Sequence, residues 1–344
     1  MLDSVLISLD NRKDLANNIV KFVKKKKSAL EVKLDSLNFQ KFSDGELCVD
    51  YINSVRGKRL YLLTTPNTSD EIIKLNLAID AAKRAGAGEI IVILPYFPYA
   101  RQDKKDQKRG PIGAKVIAEM IEQRGATGII TFDLHAEQIQ GFFNIPLTHL
   151  EGKNVFDEYI AKIYTEDTIL CGPDAGSGKR VKRMKDQLLK DHNISINYVM
   201  LDKTRTKANV VDEMVIIGDV VGKDVIILDD MVDTAGTLCK AGEVIMNAGA
   251  KSVRAIISHG VLSGSAFEKI GESVLSEIVI SDSFVMPDYM SLCMKDFSES
   301  RCINIKKGCE KIKQVSLAKL ISLAINAINT HSSYEHLKRE KLEA

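Results

Sequence analysis

An apolar run that turns abruptly acidic constrains the fold of this chain more than any other feature. Residues 225–228 read Val-Ile-Ile-Leu, an uninterrupted β-branched and aliphatic run. Such a run is typical of a short strand buried on both faces of a parallel sheet, because a half-exposed strand alternates apolar and polar residues. Asp229 and Asp230 follow where we expect the strand to end, and a turn at 233–237 then leads into a helical segment.

The turn at 233–237 reads Asp-Thr-Ala-Gly-Thr and contains the groups that bind phosphate. It offers backbone N–H groups, two hydroxyls and the N-terminus of a helix. Two adjacent carboxylates would repel a phosphate, so we expect Asp229 and Asp230 to contact neutral hydroxyls or a metal. A sugar phosphate has both kinds of group. The alternative interpretation is that the acids and the turn merely close a strand–helix loop.

Strand-like and helix-like segments alternate through both halves of the chain, which predicts an α/β fold with parallel sheets. The predicted strands are 60–64, 90–94, 128–132, 168–171, 197–201, 215–217, 225–228, 253–257 and 278–281. Ser69 is predicted to cap a helix over 70–84, and Pro111 to open another. Ala-Gly-Ala separates a helix from a strand at 85–87 and again at 248–250, which supports a duplicated α/β unit.

The length of 344 residues suits two domains, each with its own core. We place them at 1–152 and 153–330, followed by a polar tail at 331–344. An apolar stripe that includes Leu320, Ala324 and Ile328 predicts a helix near the end of the second domain, buried in the core or against another subunit.

Charge and cysteine usage narrow the class of protein. Lysine plus arginine number 48 and aspartate plus glutamate 46, so no overall charge favours nucleic acid or an anionic membrane as a partner. The six cysteines include no C-x-x-C pair, which is typical of a reducing compartment. The N-terminus carries acids where a signal peptide needs a basic region, and no apolar run reaches membrane-spanning length. We therefore expect a cytoplasmic protein.

Two further segments follow predicted strands in the first half. Residues 96–111 begin with aromatic residues and continue as a dense basic loop, which suits a nucleoside triphosphate whose base stacks on rings while cations meet its phosphates. A solvated surface loop is the alternative. His135 lies in the segment 133–143, at the carboxyl end of a strand, where α/β sheets bind ligands. A single histidine is, however, more often structural than catalytic.

Two segments in the second half suit a polyphosphate. Residues 172–180 contain Gly-Ser-Gly-Lys but are not a Walker A loop, because Pro173 and Arg180 stand where that pattern needs glycine and a hydroxyl residue. Their glycines still permit close backbone approach, and Asp174 is a hard oxygen ligand suited to Mg²⁺. Lys203 and Arg205 occupy alternate positions after another strand, so both can face one anion. An exposed polar strand end would explain them equally well.

Four motifs together resemble the class I ribose-phosphate diphosphokinases over about residues 41–329. They are Asp-Asp-x-x-Asp-Thr-x-Gly-Thr at 229–237, which type I phosphoribosyltransferases share, Tyr-Phe-x-Tyr-Ala-Arg-Gln-Asp at 96–103, Asp-Leu-His-x-x-Gln-x-x-Gly-Phe-Phe at 133–143, and Phe-Ser-Asp-Gly-Glu at 42–46. The resemblance implies two similar type I phosphoribosyltransferase-like domains, each a mostly parallel sheet flanked by helices. It implies transfer of the diphosphoryl group of ATP to the 1-hydroxyl of ribose 5-phosphate, giving AMP and 5-phosphoribosyl 1-diphosphate.

The resemblance also implies roles for individual residues. ATP would be bound by Phe42, Asp44, Glu46, Arg101, Gln102, Asp103, Lys104 and His135. Ribose 5-phosphate would be bound by Asp229, Asp230, Asp233, Thr234, Ala235, Gly236 and Thr237. A diphosphate loop would be formed by Asp174, Ala175, Gly176, Ser177, Gly178 and Lys179, with His135 and Asp174 on Mg²⁺ and Lys203, Arg205 and His135 catalytic.

Because the family's Phe-Ser-Asp-Gly-Glu contact comes from a neighbouring subunit, the resemblance implies a homo-oligomer, a hexamer built from dimers. Two alternatives use some of the same residues. A phosphoribosyltransferase would keep 229–237 but has no need of 96–103 or 133–143. A non-catalytic regulatory subunit should show an insertion after Asp103 or lost charges at Asp174, Lys203 or Arg205, and the sequence has neither.

The sequence departs from the family at two places. Gly113 stands where a serine or threonine commonly begins a helix, which weakens that cap. The final segment lacks the family's usual ending, so regulation by phosphate and ADP does not carry over to this chain.

Overall fold

The computed structural model describes residues 2–10, 12–24, 31–204, 213–294 and 299–334. These residues form two compact units, each with its own apolar core. The first comprises the described residues up to Glu151 and those from Ser316 onward, and the second is Gly152–Val315.

The first unit is a parallel sheet with helices on its faces and a small hairpin. Its strands are β1 Ser4–Ser8, β2 Val32–Asp35, β3 Leu37–Lys41, β4 Leu47–Tyr51, β5 Arg59–Leu63, β6 Glu89–Leu94, β7 Gly128–Phe132 and β8 Leu147–Leu150. Its helices are α1 Lys13–Lys24, α2 Ser69–Arg84, α3 Gly113–Arg124, a 3₁₀ helix Glu137–Phe142 and α10 Ala318–Asn329. The sheet has the order β2-β1-β5-β6-β7-β8, all parallel, while β3 and β4 pair antiparallel.

The second unit has the same construction. Its strands are β9 Thr168–Gly172, β10 Asn197–Thr204, β11 Glu213–Ile217, β12 Asp224–Val232, β13 Ser252–Gly260, β14 Glu277–Ser281 and β15 Ile312–Val315. Its helices are α4 Lys153–Ile163, a 3₁₀ helix Ala175–Ser177, α5 Gly178–His192, α6 Gly236–Asn247, α7 Ala266–Glu272, α8 Tyr289–Met294 and α9 Glu299–Lys311. The sheet has the order β11-β10-β9-β12-β13-β14-β15, with only β11 antiparallel.

The two sheets share one strand order. Strands β10, β9, β12, β13, β14 and β15 occupy in the second sheet the places of β2, β1, β5, β6, β7 and β8 in the first. The predicted fold class, two similar mostly parallel α/β domains, is therefore confirmed. Parallel strands bring their carboxyl ends to one edge of a sheet, where open α/β folds bind ligands.

The C-terminal helix differs from the predicted domain boundaries. The first boundary falls between Glu151 and Gly152, within one residue of the prediction, but the predicted second domain at 153–330 ends earlier, at Val315. From Ser316 the chain rejoins the first unit, where α10 packs on α1. The apolar stripe correctly indicated a buried helix, but a stripe does not specify which sheet covers it.

Strand β12 is longer than its apolar run predicted. It continues to Val232, because Met231 and Val232 still pair with His259 and Gly260 of β13. Asp229 and Asp230 therefore lie inside the strand rather than after it. The backbone of both acids is held by the sheet.

Both predicted helix starts shift slightly. Helix α2 is capped by Thr68 rather than Ser69, because the Thr68 hydroxyl accepts a hydrogen bond from Glu71 N while the Glu71 carboxylate accepts one from Thr68 N at 3.0 Å. This reciprocal pair is a capping box. Helix α3 begins at Gly113, two residues after Pro111, and its N-cap has no side-chain hydrogen bond.

Candidate active site

The acidic pair of the second unit lies beside a cation from the predicted diphosphate loop. Arg180, in the first turn of α5, places Nη1 3.5 Å from Asp229 Oδ1 and 3.7 Å from Asp230 Oδ1. Asp230 N donates to Asp229 Oδ1 at 2.9 Å. The structure therefore joins 174–180 to 229–230, two segments that the sequence separates by about fifty residues. Sequence reasoning noted Arg180 only as a departure from the Walker A pattern.

The acidic pair is electrostatically strained. Burial, reinforced by the charge of Asp230, raises the pKa of Asp229 to about 8, and Arg180 only partly opposes this shift. Burial and a neighbouring like charge both disfavour the ionised carboxylate. A ligand that brings hydroxyl donors or positive charge to the pair would relieve the strain, which suits the sugar hydroxyls or the metal expected here.

The predicted phosphate turn is held by the chain that follows β13. Leu262 N donates to Val232 O and Ser263 N to Asp233 O, each at 3.1 Å. The Ser263 hydroxyl also donates to the Asp233 carboxylate. Asp233 is thus engaged by Ser263, a residue that sequence reasoning did not select.

Two features of this turn leave it open to an anion. Ala235 has a left-handed backbone with φ of 61°, and Gly236 begins α6 directly after it. A non-glycine residue rarely adopts this conformation, which is found preferentially at functional turns. Thr234 and Thr237 are exposed, so their hydroxyls are accessible.

The predicted diphosphate loop is a compact turn between β9 and α5. Asp174 Oδ1 accepts from Ser177 N at 2.9 Å, and the buried Ser177 hydroxyl donates back to Asp174 O at 2.5 Å. A Cβ on Gly172 would lie 2.6 Å from Ser177 Oγ, so only glycine fits there. Gly176 and Lys179 are exposed, Gly178 is half-buried, and Ala175 lies in the 3₁₀ helix.

The two predicted phosphoryl-contacting cations fall at the limit of the described chain. Strand β10 includes Lys203, whose backbone pairs with Met214 of β11. The side chain of Lys203 and the whole of Arg205 lie outside the described residues. Their catalytic roles stay predictions.

In the first unit, the aromatic segment is mostly core. Tyr96 and Phe97 are buried, and Phe97 packs edge-on against Phe143 with ring centroids 5.8 Å apart. Only Tyr99 is exposed, at 43%, with a left-handed φ of 57°. The expectation that these rings stack on a base is therefore wrong for Tyr96 and Phe97, because an apolar pair next to a strand is buried in the sheet's core.

The loop after Tyr99 packs against the start of α3. A Cβ on Gly113 would lie 2.5 Å from Gln102 Oε1 and 2.9 Å from Tyr99 Cδ1. The glycine that departs from the family pattern therefore leaves room for Gln102 and Tyr99, and a serine would require both to shift. Ala114 N also donates to Gln102 O at 3.2 Å.

Asp103 joins this loop to the segment that carries His135. Its Oδ2 accepts from Gln138 Nε2 at 3.1 Å, so the segments 101–103 and 133–143 are in contact. The side chains of Arg101, Gln102, Lys104 and His135 are exposed. Lys104 has only a loose contact with Asp106, at 3.9 Å, which leaves its charge available to a phosphate.

The predicted intersubunit contact is the exposed turn of the β3–β4 hairpin. Phe42 N donates to Glu46 O at 2.8 Å, and Asp44 Oδ1 accepts from Glu46 N at 3.0 Å. Gly45 supplies the left-handed residue, with φ of 97°. The turn leaves Phe42 46% exposed, so its ring is accessible to a contact surface.

The predicted metal ligands do not form a protein cage. Within the described ranges, no three His, Cys, Asp or Glu side chains are grouped so as to hold a metal. His135 belongs to the first unit and Asp174 to the second. One or two protein ligands fit a metal that keeps most of its bonds to substrate phosphates and water, which is the usual habit of Mg²⁺.

Comparisons with known proteins match both halves of the chain. Residues 4–125 match the N-terminal domain of ribose phosphate pyrophosphokinase, and residues 180–339 match the phosphoribosyl synthetase-associated domain. The ribose-phosphate pyrophosphokinase of Wolinella succinogenes is 41% identical over 90% of this chain and 92% of its own length. The chain belongs to the ribose-phosphate pyrophosphokinase family. Diphosphokinase is another name for the same activity, so the family expected from the motifs is confirmed.

Other relatives of this chain agree. The Bacillus subtilis ribose-phosphate pyrophosphokinase is 35% identical over 96% of both chains. The crystal structure of phosphoribosylpyrophosphate synthetase from Mycobacterium smegmatis superimposes with a TM-score of 0.81, at 29% identity over 96% of this chain and 100% of that one. The protein is thus an enzyme of this family, whose members use a divalent metal. No helix in the described ranges has the length and apolarity to span a membrane.

Proposed function

We propose that this enzyme transfers the β,γ-diphosphoryl group of ATP to the 1-hydroxyl of ribose 5-phosphate, releasing AMP and 5-phosphoribosyl 1-diphosphate. The observation that carries the proposal is the contact of Arg180 with Asp229 and Asp230. This contact brings Asp229 and Asp230 beside the loop at 174–180. It supports a sugar-binding pair next to a diphosphate loop, the arrangement that a ribose bearing a 1-diphosphate requires. The family relationship favours this reaction over the phosphoribosyltransferase and regulatory-subunit alternatives.

In the proposed reaction, Asp229 and Asp230 accept hydrogen bonds from the 2- and 3-hydroxyls of ribose. The turn at 233–237 binds the 5-phosphate through backbone N–H groups and two threonine hydroxyls. With the sugar held at both ends, its 1-hydroxyl is oriented toward the diphosphate loop that begins at Asp174. Positioning of this kind can supply much of the rate enhancement in phosphoryl transfer.

The remaining charges would act on ATP. Arg101, Lys104 and His135 are proposed to contact its triphosphate, and Lys203 and Arg205 to stabilise charge as the bridge to AMP breaks. His135 and Asp174 are proposed to hold Mg²⁺, which would offset the charge of the phosphates when bound. No covalent nucleophile is needed in this scheme.

The hairpin turn at 42–46 is proposed to complete the ATP site of a neighbouring subunit. Its exposed Phe42 and backbone-fixed Asp44 support this role. The hexamer built from dimers and the cytoplasmic location both stay predictions. Light scattering of the purified enzyme would measure the number of subunits in the assembly.

The reaction is tested by incubating the purified enzyme with ATP, ribose 5-phosphate and Mg²⁺. We expect AMP and 5-phosphoribosyl 1-diphosphate to appear in equal amounts. A protein that forms neither product, but transfers the phosphoribosyl group of 5-phosphoribosyl 1-diphosphate to a nitrogenous base with release of diphosphate, would be a phosphoribosyltransferase. A protein inactive in both assays would support the regulatory alternative.

A matched pair of variants tests the sugar site. Asp230→Asn removes charge but keeps an acceptor, and should raise KM for ribose 5-phosphate while leaving KM for ATP unchanged. Asp224→Asn makes the same change at the opposite end of β12, where Asp224 contacts Ser252 and Lys251, and should leave both constants unchanged. Equal effects of the two variants on ribose 5-phosphate would refute the sugar-binding role.

A further inference from the structure

A lysine of α7 reaches the phosphate turn. A Cβ atom built on Gly236 would lie 3.8 Å from Lys269 Nζ. Gly236 is the first residue of α6 and a member of the turn at 233–237, whereas Lys269 comes more than thirty residues later. Because Gly236 has no side chain, the space between its backbone and the ammonium group is open.

The Lys269 ammonium has no protein partner in the part of the chain that the structure describes. No described hydrogen bond or ion pair engages its Nζ. The adjacent carboxylate, Glu268, is instead paired with Arg301 at 3.1 Å. The carbonyl oxygens at the end of α7 accept hydrogen bonds from another lysine. Lys311 Nζ donates to Ile270 O, Gly271 O and Ser273 O at 3.0, 3.2 and 2.7 Å.

Helix α7 is held firmly, so the backbone position of Lys269 is well defined. A Cβ on Gly271 would lie 1.9 Å from Asn304 O, and one on Gly308 would lie 2.0 Å from Phe267 O. The backbones of α7 and α9 are therefore in direct contact, and neither glycine accepts a side chain. Cys239 of α6 also donates through Sγ to Lys269 O at 3.6 Å, which ties α7 to the helix that begins at the phosphate turn.

A cation would complement a phosphate bound at this turn. Asp233 brings a carboxylate to the place where a phosphate dianion is expected, and the Ser263 hydroxyl engages that carboxylate without neutralising its charge. Backbone N–H groups and a helix N-terminus supply only partial positive charge. A full positive charge on a flexible stem is the usual complement for a terminal phosphate.

We infer that Lys269 binds the 5-phosphate of ribose 5-phosphate and makes the enzyme select the phosphorylated sugar. This role rests on the proposed function, because it assigns the turn at 233–237 to the 5-phosphate. Lys269 Nζ donates to oxygens of the phosphate held at this turn. It acts in binding and takes no part in diphosphoryl transfer.

The inference is tested with neutral variants of Lys269. Lys269→Met and Lys269→Gln should each raise KM for ribose 5-phosphate about tenfold or more, because a charge-assisted hydrogen bond is lost. KM for ATP should stay within about twofold of the wild type. Lys269→Arg should restore much of the affinity. Lys251→Gln is the matched control, since Lys251 lies at the amino end of β13 beside Asp224 and should have no effect.

Calorimetric titration with ribose 5-phosphate and with ribose separates this inference from the proposed function. Loss of ribose 5-phosphate binding in both neutral variants, with ribose binding unchanged, supports Lys269 even if the wild type forms no 5-phosphoribosyl 1-diphosphate. Wild-type affinity for ribose 5-phosphate in either neutral variant that retains the wild-type melting temperature would overturn the inference while leaving the reaction intact. Equal weakening of ribose and ribose 5-phosphate would also overturn it.

Discussion

The strongest stability prediction concerns Asn329, at the end of the C-terminal helix. Its side chain is fully buried, and Oδ1 accepts hydrogen bonds from Ser4 Oγ at 3.1 Å, Arg59 Nη1 at 2.9 Å and Tyr61 OH at 2.7 Å. One amide oxygen thus joins α10 to β1 and β5. We predict that Asn329→Ala weakens the first unit far more than an ordinary polar truncation.

The size of the destabilisation follows from the three donors that lose their acceptor when Asn329 is replaced. Each buried hydroxyl loses about 1 kcal/mol, and the guanidinium donor loses about 1.5–3 kcal/mol. Arg59 keeps its pair with Glu89, at 2.7 and 2.9 Å, and a longer bond to Ile328 O at 3.3 Å, which moderates the loss. We therefore expect the hydrogen bonds of Asn329 to contribute about 2–4 kcal/mol to the free energy of unfolding.

The chain offers a control of the same residue type. Asn326 lies one turn earlier on α10 and is 1% exposed, yet neither polar atom of its side chain has a hydrogen-bond partner among the described residues. Asn326→Ala deletes the same atoms without breaking a hydrogen bond, so it should be much milder, because a buried amide without partners is itself unfavourable.

Urea unfolding of both variants, followed by far-ultraviolet circular dichroism, measures the difference. Equal unfolding free energies, within about 0.5 kcal/mol, would refute the reasoning, because they would show that the three bonds to Asn329 contribute no net stability.

Three further outcomes are expected. The pKa of Asp229 is raised, so between its ordinary value of 3.8 and about 8 the folded state holds a proton that the unfolded state has lost, and stability should fall as pH rises through that range. Asp229→Asn should therefore gain stability relative to the wild type increasingly from pH 5 to 8, and a pH-independent difference in unfolding free energy would contradict this. Lys203→Ala and Arg205→Ala should each lower kcat on the order of 10²-fold with little change in KM for ribose 5-phosphate, whereas a rise in KM alone would assign them to ground-state binding. Thr68→Ala should cost about 1 kcal/mol by removing the α2 capping box, and an unchanged melting temperature would contradict that.

Much of the fold could be predicted because its signals are local. Buried parallel strands are apolar runs, so 128–132 was predicted residue for residue as β7, and most other strands to within a few residues. The phosphate turn could also be found, since helix N-termini and small residues have short sequence signatures. The family followed from four motifs, whose spacing along the chain needs no tertiary structure to be recognised.

Several conclusions depended on contacts that sequence spacing does not encode. The apolar face of α10 could be covered by either sheet, and its return to the first unit depends on packing against α1 and on the bonds of Asn329. The burial of Phe97 and Tyr96 depends on partners such as Phe143, which are distant in sequence.

The candidate active site also has a part that can be recognised from local sequence and a part that depends on tertiary contacts. The turn with the chemistry of a phosphate site can be found without a structure, because its backbone and hydroxyl groups lie within five consecutive residues. Which polar and charged groups surround that turn depends on the tertiary structure. Arg180, Ser263 and Lys269 come from three other segments, and their distances from the turn and its acids depend on the order of the parallel strands and on the close packing of α7 against α9. Electrostatic interactions depend on separation in space, and a folded sheet brings together charges that the chain keeps far apart.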